Sequence, residues 1–263
     1  MSARPLALIT GASGGIGEAL AHVFVRAGYD LALVARSGDK LEAVAQDLRA
    51  HGGAADSFPF DLQSPGAGAA LEAAVQGRGL TVDALVNNAG YGLTGAILEQ
   101  PLEEQLAMID LNCRVLTELS WRFGQGMRER RRGGILNVAS TAAFQPGPFM
   151  AVYYASKAYV LSFTEALNHE LHGSGVHATA LCPGPVATGF QERAAFDATM
   201  RLTRVAPMMS AEAVAKEGFD GFRRGRAVVI PGASNFMMAK SAALTPRPVL
   251  LRVVEMLQRK KMG

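Results

Sequence analysis

The chain has 263 residues, with hydrophobic side chains at 49%, charged ones at 19% and a net charge of +3. That length suits one large α/β domain or two small ones, and the composition excludes a disordered chain. The small net charge argues against nucleic acid as the main partner and leaves an anionic cofactor unopposed. No apolar run approaches the roughly 20 residues of a membrane-spanning helix. Residues 6–9 are too short for a signal-peptide core, so neither a leader nor an integral membrane segment is expected. Cys113 and Cys182 lie far apart and read as two buried free thiols, which points to a reducing compartment and a cytoplasmic location.

Short apolar runs alternate with amphipathic stretches from end to end. Residues 5–9 read as a strand, 16–27 as a helix closing at Gly28, and 31–34 as the next strand. A helix follows over about 40–50, then strands at 57–60 and 84–86. A long helix runs from about 102 to 128 and is followed by a strand at 135–138. The helix carrying Tyr153 and Lys157 extends to about 171; strands follow at 176–181 and 227–230, and a terminal helix at 248–259. This βαβ alternation predicts an α/β fold, a single Rossmann-type doubly wound parallel sheet of about seven strands with helices on both faces. Without linker, repeat or low-complexity stretch, residues 1–263 read as one domain, with about 184–225 as a substrate-binding lid.

Between the first strand and first helix lies Thr10-Gly11-Ala12-Ser13-Gly14-Gly15-Ile16-Gly17. Gly11, Gly15 and Gly17 permit a tight turn and close approach of a pyrophosphate, which the helix then meets with free N–H groups and its positive dipole end. Three residues rather than one separate the first two glycines, unlike the usual dinucleotide fingerprint. The second strand should meet the adenosine ribose, where an acidic residue would repel a 2′-phosphate. Here it ends in Ala35-Arg36, and the Arg36 guanidinium can clamp such a phosphate, so NADP(H) is the expected cofactor.

Tyr153 and Lys157, four residues apart, fall on one helix face, and Ser140 lies thirteen residues upstream. An ammonium one turn away is expected to lower the tyrosine pKa from its reference of about 10. With a serine hydroxyl holding the substrate oxygen, the trio suits proton transfer to or from an alcohol oxygen.

Taken together, these residues resemble the short-chain dehydrogenase/reductase family. The family's T-G-x-x-x-G-x-G is met at Thr10, Gly11, Gly15 and Gly17, its adenine-contacting pair at Asp61-Leu62, and its N-N-A-G at Asn87-Asn88-Ala89-Gly90. Asn112 matches the active-site asparagine, Ser140, Tyr153 and Lys157 the catalytic serine and Y-x-x-x-K, and Pro183-Gly184 the P-G motif. The resemblance further implies cofactor contacts from Ser13, Ile16, Val186 and Thr188. It implies that Tyr153 gives a proton to a carbonyl oxygen as hydride arrives, and that Ser140 polarises that carbonyl. Lys157 would lower the tyrosine pKa and bind the nicotinamide ribose, while Asn112 would hold a water linking Lys157 to solvent. Homodimers or homotetramers are also implied. The chain departs at Gly14, where many NADP-dependent members carry arginine, leaving Arg36 with Ser13 or Ser37 as helpers; it also runs on from 234 to 263.

The expected substrate walls are 91–96, 141–150 and the stretch from Pro183 to about Met209. Phe144, Phe149, Met150, Phe190, Phe196, Met200, Met208 and Met209 make them apolar, which suits a hydrophobic ketone or aldehyde. Arg193, Arg201 and Arg204 suit either an acidic substrate tail or a solvated helix face. A 3-oxoacyl thioester reductase and a non-catalytic NADP(H) sensor are the competing readings. The basic run 128–132 reads as a helix end rather than a nucleic-acid patch. His169 and His172 lack a third ligand, so no metal is expected. Residues 236–239, with Arg252, Arg259, Lys260 and Lys261, are expected to pack on the domain rather than meet a membrane surface or a second copy.

Overall fold

A computed structural model describes residues 4–187 and 208–258. Seven strands form one parallel sheet: β1 (Leu6–Thr10), β2 (Asp30–Ala35), β3 (Ala55–Pro59), β4 (Val82–Asn87), β5 (Gly133–Val138), β6 (Val176–Leu181) and β7 (Val228–Val229). Their order is β3-β2-β1-β4-β5-β6-β7, so the winding reverses between β1 and β4 and opens a crevice at their carboxyl ends.

Alternation along each strand explains why helices cover both faces. Ala7 and Ile9 of β1 turn to one core, with Leu20 and Phe24 of α1 (Gly15–Arg26) and Leu41 and Leu48 of α2 (Gly38–Ala50). Leu6 and Leu8 turn to the other, against α3 (Ala67–Gly77) and the helices near Phe123 and Leu171. The expected long helix is interrupted. α4 (Leu102–Ile109) passes through a π-helical turn at Asp110–Val115 before α5 (Leu116–Glu129), and such turns often mark functional positions. α6 (Ala151–Glu170) packs chiefly on β6 and reaches β5. A buried relay fixes it there. Asn87 Nδ2 donates to Asn137 Oδ1 at 2.9 Å, and Asn137 Nδ2 donates to Thr164 Oγ1 of α6 at 3.0 Å.

Three helices escaped the sequence reading: α3, α7 (Ala211–Arg223) and α8 (Ala233–Leu244). α3 is built from alanine and glycine with little apolar contrast. α7 had a signal, for Ser210 caps it by accepting from Ala213 N at 3.2 Å. Phe219 and Phe222 of α7 pack on Phe24 in the first core. The end of the stretch expected as a lid, about 184–225, is therefore this core helix; residues 188–207 lie outside the described residues, and with them Thr188, Phe190, Arg193, Phe196, Met200, Arg201 and Arg204. α9 (Arg247–Gln258) closes the described chain.

The basic run at the end of α5 is tied into the structure. Arg130 donates to the Val82 carbonyl at 2.9 Å, Arg131 to that of Gly173 at 3.0 Å, and Arg132 sits 3.3 Å from Asp83. Cys182 is buried as expected, whereas Cys113 is only half-buried. Phe236, Met237 and Met238 do not pack on the domain as expected: they are exposed, and within 236–239 only Ala239 is buried.

Candidate active site

The glycine loop is held by the strand beside it. Thr10 Oγ1 donates to the Val86 carbonyl and accepts from Asn88 N and Ala89 N, both at 3.0 Å. Asn88 Nδ2 donates to Thr10 O at 2.9 Å and Gly11 O at 3.2 Å, so this side chain braces the loop. Gly11 has φ +66°, and a Cβ there would stand 2.8 Å from Asn88 Nδ2. At Gly17 a Cβ would meet the Gly11 carbonyl oxygen at 2.2 Å. Bare backbone is therefore obligatory at both positions. No side chain caps α1, whose N-terminus faces the crevice with its N–H groups; these residues fit a pyrophosphate. Gly14 has open space around it, and Ile16 is half-buried against the core.

At the end of β2, Arg36 and Ser37 are exposed, and Arg36 has no ion pair among the described residues. Asp61 is exposed beside buried Leu62 and accepts from Gln63 N at 3.1 Å. Pro183 and Gly184 follow β6, and the Pro183 carbonyl accepts from Thr141 N at 2.9 Å. Val186 packs in the core, in a parallel bridge with Met209.

Ser140, Tyr153, Lys157 and Asn112 come together at the carboxyl end of β5. The Ser140 hydroxyl hydrogen-bonds the Tyr153 phenol and accepts from Ala142 N at 3.1 Å. Lys157 Nζ donates to the Val138 carbonyl at 2.8 Å and lies 5.9 Å from the Tyr153 ring centre. Asn112, 1% exposed, is set by the π-helical turn. Its Nδ2 donates to Tyr91 O at 2.9 Å and Ser156 Oγ at 3.0 Å, and its Oδ1 accepts from Tyr91 N. Ser156 Oγ donates in turn to the Tyr153 carbonyl at 2.7 Å. A Cβ on Gly90 would stand 2.8 Å from Asn112 Oδ1 and 3.5 Å from Lys157 Nζ, so glycine there lets the two side chains approach.

Electrostatics correct one expectation. Burial pushes the Tyr153 phenol up to about 12, the Ser140 hydrogen bond pulling the other way, and it pushes Lys157 down to about 8. Removing either group from water disfavours its charged form, and that outweighs the attraction expected to lower the tyrosine pKa. The protonated phenol is thereby secured at neutral pH.

Sequence reasoning missed Ser156, although it lies three residues beyond Tyr153 on the same helix face, and placed Tyr91 only in a substrate wall. It also missed Gln258, whose Nε2 donates to the Tyr154 hydroxyl at 2.5 Å. Tyr154 packs, as expected, with Met108, Met150 and Tyr153. Of the expected substrate walls, Met150 is buried in that cluster, Phe144 borders it, Met208 is exposed and Met209 lies against the first core. Phe149 has φ +63°, a strained conformation for a bulky residue, and its carbonyl accepts from Gly95 N at 2.8 Å, joining two walls. A cleft of about 490 Å³ lies elsewhere, at the β7 edge between Glu165, Asp220 and Arg224. His169 and His172 belong to no ligand cluster; among the described residues only His22, Asp47 and His51 bring three ligand-type atoms within 4.8 Å.

The family model of the short chain dehydrogenases matches residues 5–199. The chain belongs to that family. A ketoacyl reductase, HetN, from a Nostoc species is 34% identical over 68% of this chain and 63% of its own length. The granaticin polyketide synthase putative ketoacyl reductase 1 of Streptomyces violaceoruber is 38% identical, over 73% of this chain and 71% of that protein. Matches to the first of these curated relatives span about three fifths of their length, 59% and 63%. Among solved structures, a short-chain dehydrogenase from Sphingobium yanoikuyae in complex with NADPH superposes with TM-score 0.79 at 33% identity, covering 91% of this chain and 93% of that one. The bulky-bulky ketone specific alcohol dehydrogenase of Comamonas testosteroni gives 0.77 at 27%, covering 100% and 97%. A Burkholderia phymatum family member in complex with NAD gives 0.80 at 26%, covering 91% and 94%. The short-chain dehydrogenases are oxidoreductases that bind a nicotinamide cofactor and act on alcohols and carbonyls.

Proposed function

We propose that this short-chain dehydrogenase is an NADP(H)-dependent carbonyl reductase, reversible as an alcohol dehydrogenase, acting on a hydrophobic ketone or aldehyde. The observation that carries this reading is the Ser140–Tyr153 hydrogen bond between a neutral phenol and a serine, beside buried Lys157. The glycine loop and the α1 N-terminus would hold the pyrophosphate, with Asp61 and Leu62 at the adenine. Arg36, exposed and without an ion pair among the described residues, would hold a 2′-phosphate. The bound nicotinamide supplies the hydride.

Tyr153 gives its proton to the carbonyl oxygen, which Ser140 orients and polarises through its hydroxyl. A phenol held at about 12 is a weak acid, so this transfer needs the charge that builds on the substrate oxygen. Lys157 supplies positive charge next to the phenolate that forms. Asn112 is a positioning residue, fixing Tyr91 and, through Ser156, the backbone of Tyr153. The apolar walls near Phe144, Phe149 and Met150 would select the substrate. Cytoplasmic location and a homodimer or homotetramer complete the reading.

A second substrate class, 3-oxoacyl thioesters, is favoured by the two relatives named ketoacyl reductases. The test is NADPH absorbance across aliphatic, aromatic, steroid and 3-oxoacyl carbonyls. Consumption on any apolar carbonyl is expected, and tight NADPH binding without consumption would identify a sensor. In the same assay Arg36→Asp should shift selectivity towards NADH on the order of tenfold or more, one charge-assisted contact being replaced by repulsion; an unchanged ratio would remove Arg36 from the 2′-phosphate.

A further inference from the structure

Away from the crevice, α1 and α2 bring three metal-ligating side chains to one point. His22 lies on α1, Asp47 lies near the end of α2, and His51 caps α2 one turn further on. One ligand atom from each falls within 4.8 Å of the other two. His22 Nε2 stands 3.5 Å from Asp47 Oδ2, and His51 Nδ1 stands 3.8 Å from the same oxygen. The two imidazole rings are perpendicular, with centres 5.7 Å apart.

Hydrogen bonding does not account for His22. Its Nδ1 is buried without a partner, and at 3.5 Å its Nε2 lies beyond the roughly 2.7–3.2 Å of an N–H···O bond. His51 Nδ1 does donate, to the Asp47 carbonyl at 2.8 Å, a bond that a metal–nitrogen bond would replace. A tetrahedral ion with bonds of about 2.0–2.1 Å sets neighbouring ligand atoms about 3.3 Å apart and two imidazole centres about 5 Å apart. The cluster is within about 1.5 Å of that geometry. Asp47 and His51 are its exposed members and can close the gap by side-chain rotation, while His22 is held by packing.

We infer that His22, Asp47 and His51 bind a divalent transition metal such as Zn²⁺, which clamps α1 to α2. Two imidazoles and one carboxylate suit Zn²⁺, Ni²⁺ or Cu²⁺, whereas Mg²⁺ and Ca²⁺ take oxygen ligands and Cu⁺ takes thiolates. Zn²⁺ imposes no geometry through its d-electrons, and water would fill its fourth place. Glu212, in the first turn of α7, borders the cluster. Its own backbone N–H and the Ser210 hydroxyl hold its carboxyl below the ordinary range, with a smaller pull from His22. Those bonds keep it at the start of α7, outside the ligand set. The role that follows is structural. The N-terminus of α1 lies about 10 Å along the helix from His22, so the ion would stay out of the crevice and brace two helices that cover the first core.

The test is calorimetric titration of Zn²⁺ into the full-length protein, freed of any affinity tag and stripped with chelator. One ion per chain is expected, with the melting temperature raised by roughly 5–10 °C at about a hundredfold excess over Kd. His51→Ala and Asp47→Asn should each weaken binding on the order of tenfold or more, with the metal-free melting curve unchanged, because both side chains are exposed. No binding by the wild type, binding undiminished in either variant, or a melting curve unmoved by Zn²⁺ would overturn the proposal. Loading with Co²⁺ separates this site from the cysteines. Weak visible bands fit imidazole and carboxylate ligands; a strong thiolate charge-transfer band would assign the ion to Cys113 and overturn the proposal.

Discussion

The glycine loop and the C-terminal helices are packed to opposite rules. At Gly17 one additional carbon would sit 2.2 Å from a carbonyl oxygen, and every neighbour that could yield is itself backbone or a side chain already bonded. On α9 whole side chains stand in solvent, and one stripe of Leu250, Val254 and Gln258 attaches the helix. The difference shows where this chain demands precision: at the crevice between β1 and β4, where backbone packs directly against backbone. At the periphery it leaves apolar side chains in solvent.

The largest effect should come from the loop. Gly17→Ala is expected to cost about 2–3 kcal/mol in denaturant unfolding, as overpacking does, and to lower cofactor affinity more than tenfold. Gly14→Ala, with open space around it and extended backbone, should do neither. If the two variants behave alike, the claim of a closely fitted loop is broken.

Between the two regions lies Lys157 on α6, and it makes an intermediate, pH-dependent prediction. Its pKa falls from 10.5 in the unfolded chain to about 8 in the folded one, chiefly through burial. Between those values the unfolded chain binds the extra proton, so stability rises with pH across that window. Below pH 8 the native state bears the full cost of a buried charge. Lys157→Met should therefore be more stable than wild type near neutrality, by an amount that shrinks as pH climbs towards 10.5; a difference flat with pH would contradict the burial argument. The smallest effect belongs to the outer helices. Leu244→Ser should change stability by less than about 0.5 kcal/mol in the same unfolding assay, as surface substitutions do.

The same contrast governs what the sequence disclosed. The loop was legible because its geometry can be met only by glycine, so Gly11, Gly15 and Gly17 are visible without a structure. Tyr153 and Lys157 were legible because helical spacing places them on one face. The strands stood out as continuous apolar runs, since both sheet faces are covered. Burial was not legible. It reversed the expected direction of the Tyr153 pKa, turned Asn88 into a brace for the loop, and left Phe236 and Met237 outside a core that their composition suggested they would join. The π-helical turn at Asn112 was hidden too, because one inserted backbone turn leaves the helical character of the sequence unchanged.

The central claim is that Tyr153 is the proton donor in carbonyl reduction, and Tyr153→Phe tests it most directly. The exchange removes one hydroxyl from a ring that stays packed against Met108 and Met150. NADPH binding, followed by its fluorescence, should persist, while turnover on the best carbonyl of the panel should fall by at least the factor of about 10²–10⁴ that general acid catalysis contributes. Turnover retained within a few-fold of wild type would contradict the account and move the proton transfer to another group.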